Sequence, residues 1–282
     1  MQNSSPAPIT PEEVATFYDQ FTQLFEIIWG ESLHVGYWPE GSSAATIAEA
    51  QEHLTDLMVE KVRVQKGQNF LDVGCGTGQP AVRLSQTTGC SVTGITISPV
   101  QVEKATQRAA AAGLSQHVRF QCADAMRIPF ADTSFDAAWA FESLLHMPDR
   151  LQVLREMART LRPGGTLALT DFVLVAEMGV VERTLVRNFF KANDYTSLEA
   201  YLADIRAAGL EVLEVVDINE NTRPTATKTV EAIERRAEQL QQLYGAEFVS
   251  VMRSMWPQLT EVQQRYLRYV LIVARKPSAP QS

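Results

Sequence analysis

The chain has 282 residues, of which 45% are hydrophobic and 21% are charged, and its formal net charge at pH 7 is −8. This composition is ordinary for a globular protein, whereas an acidic balance is poorly suited to gripping the phosphate backbone of a nucleic acid. No apolar run approaches the roughly 20 residues that span a bilayer. We therefore expect neither nucleic-acid nor membrane partners. The three cysteines lack metal-ligand spacing, which indicates reduced thiols in a cytoplasmic protein and no metal site.

The N-terminal part of the chain is predicted to be helical after a short polar start. Residues 1–10 have no signal-peptide pattern and are expected to be a disordered lead-in. The run TPEE (10–13) is a helix start, and the helix to about Gly30 carries aromatic residues at helical spacing. An aromatic loop, LHVGYW (33–38), follows, and a second helix is expected from about Ala44 to Val64.

The segment FLDVGCGTGQPA (70–81) joins a buried strand to a helix through three glycines, Gly74, Gly76 and Gly78. Glycine permits a tight turn and close approach of a ligand to the main chain, and the helix N-terminus presents free N–H groups. This pattern is typical of a nucleotide site at the carboxyl end of a strand. Its spacing is not that of dinucleotide sites, which need a third glycine where Gln79 stands.

Strands and helices alternate from this segment onward. The predicted strands cover residues 70–74, 91–96, 118–122, 135–140, 166–173, 210–216 and 266–275. Such alternation is typical of an α/β fold with a doubly wound, mostly parallel sheet, here of seven strands, joined by right-handed crossovers. We expect one domain over residues 11–275. Its bounds are a core of about 66–175, 209–223 and 264–275, a helical cap from 11–50, 176–208 and 225–262, and a tail at 276–282.

The D-x-G-x-G-x-G form that begins at Asp72 resembles the cofactor loop of class I methyltransferases, which implies S-adenosylmethionine as the cofactor. The glycine turn would take the amino-acid part of that cofactor. Asp72 would hold the edge of the turn or, through water, the ammonium group. Backbone from Ala140 to Glu142, after the fourth strand, would line the methionine side, and Tyr18 would close over the cofactor from the N-terminal helix.

Polar residues follow the second and third strands, where the ribose and the adenine would lie. Thr96 stands where many such enzymes carry an acidic residue, and Gln101 lies in the next helix; both could bind the ribose, or Gln101 could form a capping box with Ser98. Asp124 suits the adenine amino group, with Ala123 and Ala125 leaving room for the ring, although an aspartate is also a simple turn former.

Five motifs occur in order and at the expected spacing: DVGCGTG, GITIS, CADAM, FESLLHMPDR and LRPGGTLALTDF. With LHVGYW before them, they resemble small-molecule methyltransferases of natural-product biosynthesis, above all the rebeccamycin-type sugar O-methyltransferases; tocopherol and sterol-type C-methyltransferases are looser relatives. The resemblance implies transfer of a methyl group to a small-molecule acceptor. It also implies catalytic roles for His146 and Asp171, although the family's second histidine is replaced here by Leu145.

Two reactions fit the sequence, and a non-catalytic cofactor-binding protein is a third alternative. Methylation of a hydroxyl needs a base, and a histidine has a pKa near neutrality. Methylation of an alkene or aromatic carbon creates a carbocation instead, which aromatic faces stabilise. The candidate pocket residues are Trp29, His34, Tyr37, Trp38, Leu145, Phe172 and Phe189. The acceptor itself has no recognisable code, and the long helical insertions could form a homo-oligomer interface.

Overall fold

The structure is a computed structural model that describes residues 7–40, 46–193 and 195–278. The helices are α1 (Pro11–Trp29), α2 (Ile47–Val62), α3 (Gln79–Thr88), α4 (Pro99–Ala111), α5 (Arg150–Thr160), α6 (Val180–Phe190), α7 (Leu198–Ala207), α8 (Asn219–Thr222), α9 (Pro224–Arg235), α10 (Ala237–Tyr244) and α11 (Ala246–Tyr266). The strands are β1 (Asn69–Val73), β2 (Ser91–Thr96), β3 (Val118–Cys122), β4 (Phe135–Phe141), β5 (Leu161–Leu174), β6 (Glu211–Asp217) and β7 (Leu267–Arg275).

All seven strands form a single sheet in the order β3-β2-β1-β4-β5-β7-β6. The strands from β3 to β5 pair in parallel, and β7 runs antiparallel between β5 and β6. The predicted doubly wound, mostly parallel α/β sheet is therefore confirmed. The strand order reverses between β1 and β4, and in such sheets the crevice at this point, outside the carboxyl ends of the strands, is where ligands bind.

Each face of the sheet is covered by helices that bury their apolar sides. On one face α5 and α7 pack against β4 and β5, with Tyr201 and Ile205 of α7 fully buried in that core. On the other face the side chains of Leu54 and Met58 from α2 are fully buried next to Phe70 of β1. Because α7 lies on the sheet, the expectation that all of residues 176–208 belong to the cap is corrected.

The remaining helices form a cap with apolar clusters of its own. One cluster joins α1 to α9, α10 and α11 around the buried side chain of Trp256. A second cluster joins α6 and α11 to Leu145, which lies just after β4. Among the described residues, no helix is long and apolar enough to cross a membrane.

The segment before α1 is fastened to the rest of the chain. Ile9 is buried, its N–H donates to Asn193 Oδ1 (2.6 Å), and its carbonyl accepts from Asn193 Nδ2 (3.1 Å). The same Nδ2 also donates to the carbonyl of His146 (2.7 Å). The disordered lead-in predicted for residues 1–10 is therefore corrected for residues 7–10, and residues 1–6 lie outside the described chain.

Two further boundaries differ from the sequence prediction. The second helix is capped by Thr46 and begins at Ile47, whereas its predicted start, Ala44, lies outside the described residues. The predicted tail begins with an anchored residue, because the N–H of Lys276 donates to the carbonyl of Gly165 (2.9 Å) and its ammonium donates to that of Leu161 (2.7 Å). Residues 279–282 lie outside the described chain.

Candidate active site

Two adjoining cavities lie at the carboxyl edge of the sheet. The first, which we name the strand-end cavity, has a volume of about 980 Å³ including its open mouth and is lined by the ends of β1, β2 and β4. The second, the cap cavity, has a volume of about 1130 Å³ on the same measure and lies among α1, α6, α9 and α11. Residues that line both cavities are Tyr18, Leu33, Glu142 and His146. These four side chains therefore mark the junction of the two cavities.

The glycine turn forms one wall of the strand-end cavity. Gly74 has φ +78°, and a Cβ added there would lie 2.3 Å from the Cβ of Ser143. Ser143 in turn donates a hydrogen bond to the carbonyl of Val73 (2.7 Å). The side chain of Ser143, just after β4, is thus packed directly against the backbone of the turn after β1, which leaves no room for a side chain at position 74. Gly76 lines the cavity as well.

Gly78 has a different position from the other two glycines. It does not line the cavity, and a Cβ added there would meet Phe120 of β3 at 2.6 Å and Ala105 of α4 at 2.7 Å. This glycine permits close packing of the turn on its neighbours. Gly78 was predicted to bind the cofactor. The structure shows instead that it shapes the turn and does not line the cavity.

Asp72 lies at the end of β1, lines the strand-end cavity and is 2% exposed. Its Oδ2 makes no hydrogen bond of normal geometry within the described chain, and burial raises the pKa of its carboxyl to about 7, against the opposing effect of the nearby Trp139 indole. An unsatisfied buried polar atom costs about 1–3 kcal/mol. A ligand that brings a cationic group to this wall would satisfy the carboxylate, and S-adenosylmethionine carries two such groups, its sulfonium and its ammonium.

Thr96 and Gln101 meet in the wall of the strand-end cavity, and both are buried. Thr96 Oγ1 donates to Gln101 Oε1 (2.7 Å), while Ser98 accepts from the N–H of Gln101 (3.0 Å). Ser98 therefore caps α4, but the reciprocal half of the predicted capping box is replaced by the bond to Thr96. Within the described chain no hydrogen bond uses the Gln101 amide group as donor, so this donor is available to a ligand.

Asp124 and its neighbours Ala123 and Ala125 line the strand-end cavity, as expected for an adenine site. Asp124 is also a turn former, because its Oδ1 accepts from the N–H of Met126 (2.8 Å) and caps a short 3-10 helix. The two interpretations of this residue are therefore compatible. Its contact with adenine stays a prediction.

The segment after β4 differs from the expectation at one residue. Ala140 is buried in the core of the sheet and lines neither cavity, because its side chain faces the α5 side. Phe141, Glu142 and Ser143 line the strand-end cavity instead. The segment predicted to line the cofactor site, residues 140–142, is therefore corrected to residues 141–143.

Glu142 is held in an unusual conformation, with φ +44°. Its Oε1 accepts from Tyr269 (2.6 Å) and from the N–H of Val35 (2.8 Å), and burial raises the pKa of its carboxyl to about 7. A non-glycine residue in this region costs about 1–3 kcal/mol and persists only where its surroundings hold it. Oε1 accepts both hydrogen bonds. Glu142 is thus held in place at the border between the two cavities.

His146 lies at the junction and has both ring nitrogens engaged. Nδ1 is 3.0 Å from the carbonyl of Lys191, which can only accept, so Nδ1 carries the proton. Nε2 then accepts from the hydroxyl of Tyr18 at 2.8 Å. Burial lowers the pKa of the imidazole to about 4, so His146 is neutral at pH 7. It is therefore in the form that can accept a proton, but the expectation of a pKa near neutrality is corrected, because burial makes this imidazole a weaker base.

Asp171 lies elsewhere, which corrects the expectation that it faces the cofactor. It is buried on the α7 side of β5, where Oδ1 accepts from the N–H of Phe172 (2.8 Å) and Oδ2 accepts from Tyr201 (3.2 Å). It lines neither cavity. Burial raises the pKa of its carboxyl to about 6, against the opposing effect of Arg150. Asp171 therefore joins β5 to α7.

The predicted pocket residues divide into three groups. Those that line the cap cavity are Trp29, Leu145 and Phe172. His34 instead lines the strand-end cavity, where its ring stacks on Phe141 with 4.6 Å between centroids and burial lowers its pKa to about 4.

Three aromatic residues line neither of the two cavities, which corrects their assignment to the pocket. Tyr37 packs beside the core on the α2 side of the sheet. Trp38 pairs through its backbone with Asn221, and Phe189 packs edge-on against Trp256 at 5.0 Å. The rings of Tyr37 and Phe189 therefore serve packing, whereas the ring of Trp38 lies beside Gly36 in its own loop.

Sequence reasoning missed several residues of the site. Leu33 borders both cavities, and its loop is fixed because Thr77 donates to the carbonyl of Glu31 (2.6 Å). Phe17 and Phe25 of α1 line the cap cavity, although neither was among the candidate pocket residues. Ser143 was also missed, and among these residues it alone could have been predicted to line the site, because it lies just past the end of β4. No group of three or more metal-ligating side chains occurs in the part of the chain that the structure describes.

Comparison with known proteins agrees with this geometry. A family described as a methyltransferase domain matches residues 71–169. The 27-O-demethylrifamycin SV methyltransferase of Amycolatopsis mediterranei is 44% identical, with 95% of this chain and 98% of that protein covered. The (+)-O-methylkolavelool synthase of Herpetosiphon aurantiacus is 38% identical, with 96% of each chain covered. The crystal structure of the [4+2]-cyclase SpnF superposes with a TM-score of 0.82, at 34% identity over 97% of this chain and 98% of that one.

These similarities extend over the cap helices as well as the core, because they span almost the whole chain. They agree with a strand-end cavity whose glycine turn and buried Asp72 fit S-adenosylmethionine. We conclude that the chain is an enzyme of the class I S-adenosylmethionine-dependent methyltransferase family, of the natural-product type.

Proposed function

We propose that this enzyme methylates a hydroxyl oxygen of an apolar small molecule held in the cap cavity. The observation that carries the proposal is the hydrogen bond between Tyr18 and His146 at the junction of the two cavities. An acceptor in the cap cavity must present its reacting atom at this junction. The proton-accepting pair therefore lies where a hydroxyl would lose its proton.

The proton would pass along this pair. An acceptor hydroxyl can donate to the oxygen of Tyr18 while Tyr18 donates to Nε2 of His146, which carries no proton. His146 takes up the proton, and the carbonyl of Lys191 holds the ring in position throughout. A positioned base of this kind contributes about 10²–10⁴-fold to a rate.

The strand-end cavity would hold the cofactor. Bound S-adenosylmethionine supplies a methyl group on a positively charged sulfur, which is a good leaving group. On our proposal Gly74 and Gly76 lie against its amino-acid part, Asp72 faces a cationic group, Gln101 binds the ribose and Asp124 the adenine. The protein then contributes mainly by placing acceptor and methyl group in line, because proximity alone can supply about 7–11 kcal/mol.

The walls of the cap cavity support an apolar acceptor. Side chains that make up its apolar surface include Phe17, Phe25, Trp29, Leu145, Phe172 and Trp256. The names of the two relatives above indicate a kolavelool and a demethylrifamycin as their respective acceptors, and each names an O-methyl group. We therefore propose a hydroxylated terpenoid or polyketide skeleton as the acceptor class.

A second candidate reaction is methylation of a carbon. The aromatic rings of Phe17, Phe25 and Trp29 in the cap cavity favour it, because aromatic faces stabilise a carbocation. This reaction needs no base in its first step. The identity of the methylated atom therefore separates the two candidates.

The test uses kolavelool and 27-O-demethylrifamycin SV as acceptors with methyl-labelled cofactor. We expect a labelled O-methyl group by NMR, and we expect His146→Ala to lower kcat by about 10² or more while the affinity for S-adenosylhomocysteine in calorimetry stays unchanged. Tyr244→Phe, at the end of α10 and outside the lining of both cavities, is the control and should keep full activity. A labelled carbon–methyl group would contradict O-methylation, and full turnover by His146→Ala would contradict its role as the base; no transfer to either alcohol would contradict the proposed acceptor class.

Two other expectations stay proposals. The free thiols of Cys75, Cys90 and Cys122 support a cytoplasmic location. A homo-oligomer formed through the cap helices would be tested by the molar mass in solution.

A further inference from the structure

One buried hydroxyl of the cap cavity has no part in the proposed proton transfer. Tyr195 lines this cavity together with Leu145, His146 and Phe172, and it is only 7% exposed. Within the described chain its hydroxyl forms no hydrogen bond, yet it is not one of the unpaired polar atoms that the protein encloses completely. A buried tyrosine hydroxyl usually finds a partner. The hydroxyl of Tyr195 therefore reaches open space and is available to a ligand.

The backbone on both sides of Tyr195 is fastened close to the junction of the two cavities. Before it, Asn193 Nδ2 donates to the carbonyl of His146 (2.7 Å). After it, the carbonyl of Thr196 accepts from the N–H of Leu174, at the end of β5 (2.8 Å). Tyr195 is thus held between the segment after β4 and the end of β5, beside the place where the acceptor would present its reacting atom.

The charges around Tyr195 indicate that its hydroxyl faces the junction. Burial raises the pKa of the phenol, and negative charge on Asp171, Glu142 and Tyr18 raises it further. Glu142 and Tyr18 border both cavities. Tyr195 also borders an open surface depression lined by several arginines, but none of them affects this pKa. The hydroxyl therefore lies on the inner side, toward Glu142 and Tyr18.

Glu142 offers a complementary atom at the same junction. Its Oε1 accepts from Tyr269 and from the N–H of Val35, whereas its Oε2 forms no hydrogen bond within the described chain and is not enclosed. An alcohol hydroxyl has one proton to donate and lone pairs that accept. A hydroxyl placed between the two residues would donate to Oε2 of Glu142 and accept from the phenol of Tyr195. The proposed function assigns the reacting hydroxyl to the proton-accepting pair, so the hydroxyl bound here is a second one.

We propose that Glu142 and Tyr195 form a subsite for a second hydroxyl of the acceptor, one or two carbon–carbon bonds away from the carbon whose hydroxyl is methylated. This inference rests on the proposed function for the identity of the reacting group, and it narrows the acceptor class to apolar 1,2- or 1,3-diols. Three threonines of the cap cavity do not offer such a subsite. Thr225 and Thr229 are already hydrogen-bonded, and Thr260 Oγ1, although unpaired, is enclosed by the protein.

The test removes the hydroxyl of Tyr195 and keeps its ring. Tyr195→Phe should fold like the parent enzyme, because no hydrogen bond in the described chain depends on that hydroxyl. Tyr266→Phe is the matched control. Tyr266 is 9% exposed and belongs to the same apolar cluster, but it lines neither cavity. Thermal unfolding of both variants checks the fold.

Affinity is measured by calorimetry in the presence of S-adenosylhomocysteine, with 1-decanol, 1,2-decanediol, 1,3-decanediol and 1,10-decanediol as probes. A purely apolar cavity would favour 1-decanol, because each further hydroxyl must give up its hydrogen bonds to water. A site with unpaired polar groups instead favours the ligand that pairs them. We expect the parent enzyme to bind the 1,2- or the 1,3-diol about tenfold more tightly than 1-decanol and 1,10-decanediol, the equivalent of 1.4 kcal/mol.

Tyr195→Phe should lose this preference, because it binds the favoured diol about tenfold more weakly than the parent enzyme does and 1-decanol equally well. Tyr266→Phe should change none of the affinities. The inference is overturned if neither the 1,2- nor the 1,3-diol binds the parent enzyme more tightly than 1-decanol, or if Tyr195→Phe keeps the preference. It is also overturned if Tyr195→Phe weakens 1-decanol and the diols equally, because Tyr195 would then contact the first hydroxyl.

The two proposals fail in different ways. These are binding measurements, so a preference for a 1,2- or 1,3-diol without methyl transfer to oxygen would overturn the proposed function alone. Methyl transfer to oxygen without that preference would overturn the second-hydroxyl subsite alone.

Discussion

The strand-end cavity and the cap cavity are built by different means. The first is shaped mainly by backbone, through the positive φ of Gly74 and its contact with Ser143. Hydrogen-bonded polar side chains at the ends of parallel strands complete its wall. The second is shaped by side chains on helices that are far apart in the chain, such as Phe25, Leu145 and Trp256. We therefore expect cofactor binding to depend on a few fixed backbone positions. The acceptor site depends on side-chain packing, and we expect it to tolerate substitutions better.

The largest effect is expected from a substitution at Gly74, which shapes the wall of the strand-end cavity. Gly74→Ala combines a left-handed backbone, which costs about 1–2 kcal/mol, with the clash against Ser143, which costs about 1–3 kcal/mol more. Gly113 has a similar φ of +72° but nothing within 4 Å of an added Cβ, so Gly113→Ala should cost the first amount alone. Denaturant unfolding gives both values, and calorimetry should show that only Gly74→Ala loses S-adenosylhomocysteine. Equal effects of the two changes would contradict the rigid turn.

The next effect concerns the junction, which belongs to both cavities. Tyr18→Phe removes the hydroxyl that donates to His146 but keeps the ring. We expect kcat to fall by about tenfold or more, with little change in acceptor KM or in cofactor affinity. Steady-state kinetics with saturating cofactor measure the split. Unchanged turnover would show that the acceptor reaches His146 directly, without Tyr18.

A smaller effect tests the pKa of Glu142, which is raised from 4.5 to about 7 in the folded chain, chiefly by burial. Below pH 4.5 the carboxyl is protonated in both states; as the pH rises to 7, only the unfolded chain releases the proton, so the free energy of unfolding falls. Glu142→Gln does not titrate and keeps an acceptor oxygen for Tyr269 and Val35. Its stability relative to the parent should therefore increase between pH 4.5 and pH 7.

Denaturant unfolding of both proteins at the two pH values measures this difference. Groups whose pKa values do not depend on Glu142, such as Asp72 and His34, are present in both proteins and cancel on subtraction. Asp171, which raises the pKa of Glu142 by repulsion, is relieved of that repulsion in Glu142→Gln, and this adds to the same gain in stability. A difference in stability that does not vary with pH would contradict a raised pKa of Glu142.

The smallest effects come from a matched pair of conservative changes, one in each cavity. Leu145→Met and Ile95→Met nearly conserve volume and should each cost less than about 1.5 kcal/mol. Leu145 lines only the cap cavity and Ile95 only the strand-end cavity. We expect a few-fold change in acceptor KM from the first and in cofactor affinity from the second. A change in both constants from either variant would show that the two cavities are not independent.

The sequence predicted the cofactor side better than the acceptor side, for a physical reason. The glycine turn with Asp72, and Asp124 with the alanines beside it, are each local signals within a few residues, and the alternation of strands and helices places both at one edge of the sheet. Asp171 was misplaced because a buried residue near the end of a strand can meet either a ligand or a neighbouring helix, here Tyr201 of α7, and the sequence does not distinguish the two. Ala140, in the fully buried end of β4, was misplaced for the same reason.

The acceptor side depends on contacts that sequence spacing does not encode. The aromatic residues of LHVGYW and of α1 look equivalent in the sequence, yet Phe17 and Phe25 line the cap cavity whereas Tyr37 and Trp38 do not. Which of them meets the cavity is decided by α9 and α11, about 200 residues further along the chain. Helical periodicity also could not show that α7 packs on the sheet while α6 joins the cap.

The double hydrogen bond between Ile9 and Asn193 has a consequence for the catalytic cycle. It fastens the start of α1, whose residues Pro11, Val14 and Tyr18 form the outer wall of the strand-end cavity. We expect the demethylated cofactor to leave past this wall, after the fastening has opened. We expect its departure, rather than the transfer step, to limit the steady state, and rapid mixing should reveal a burst of one methylated molecule per enzyme before the slower linear phase.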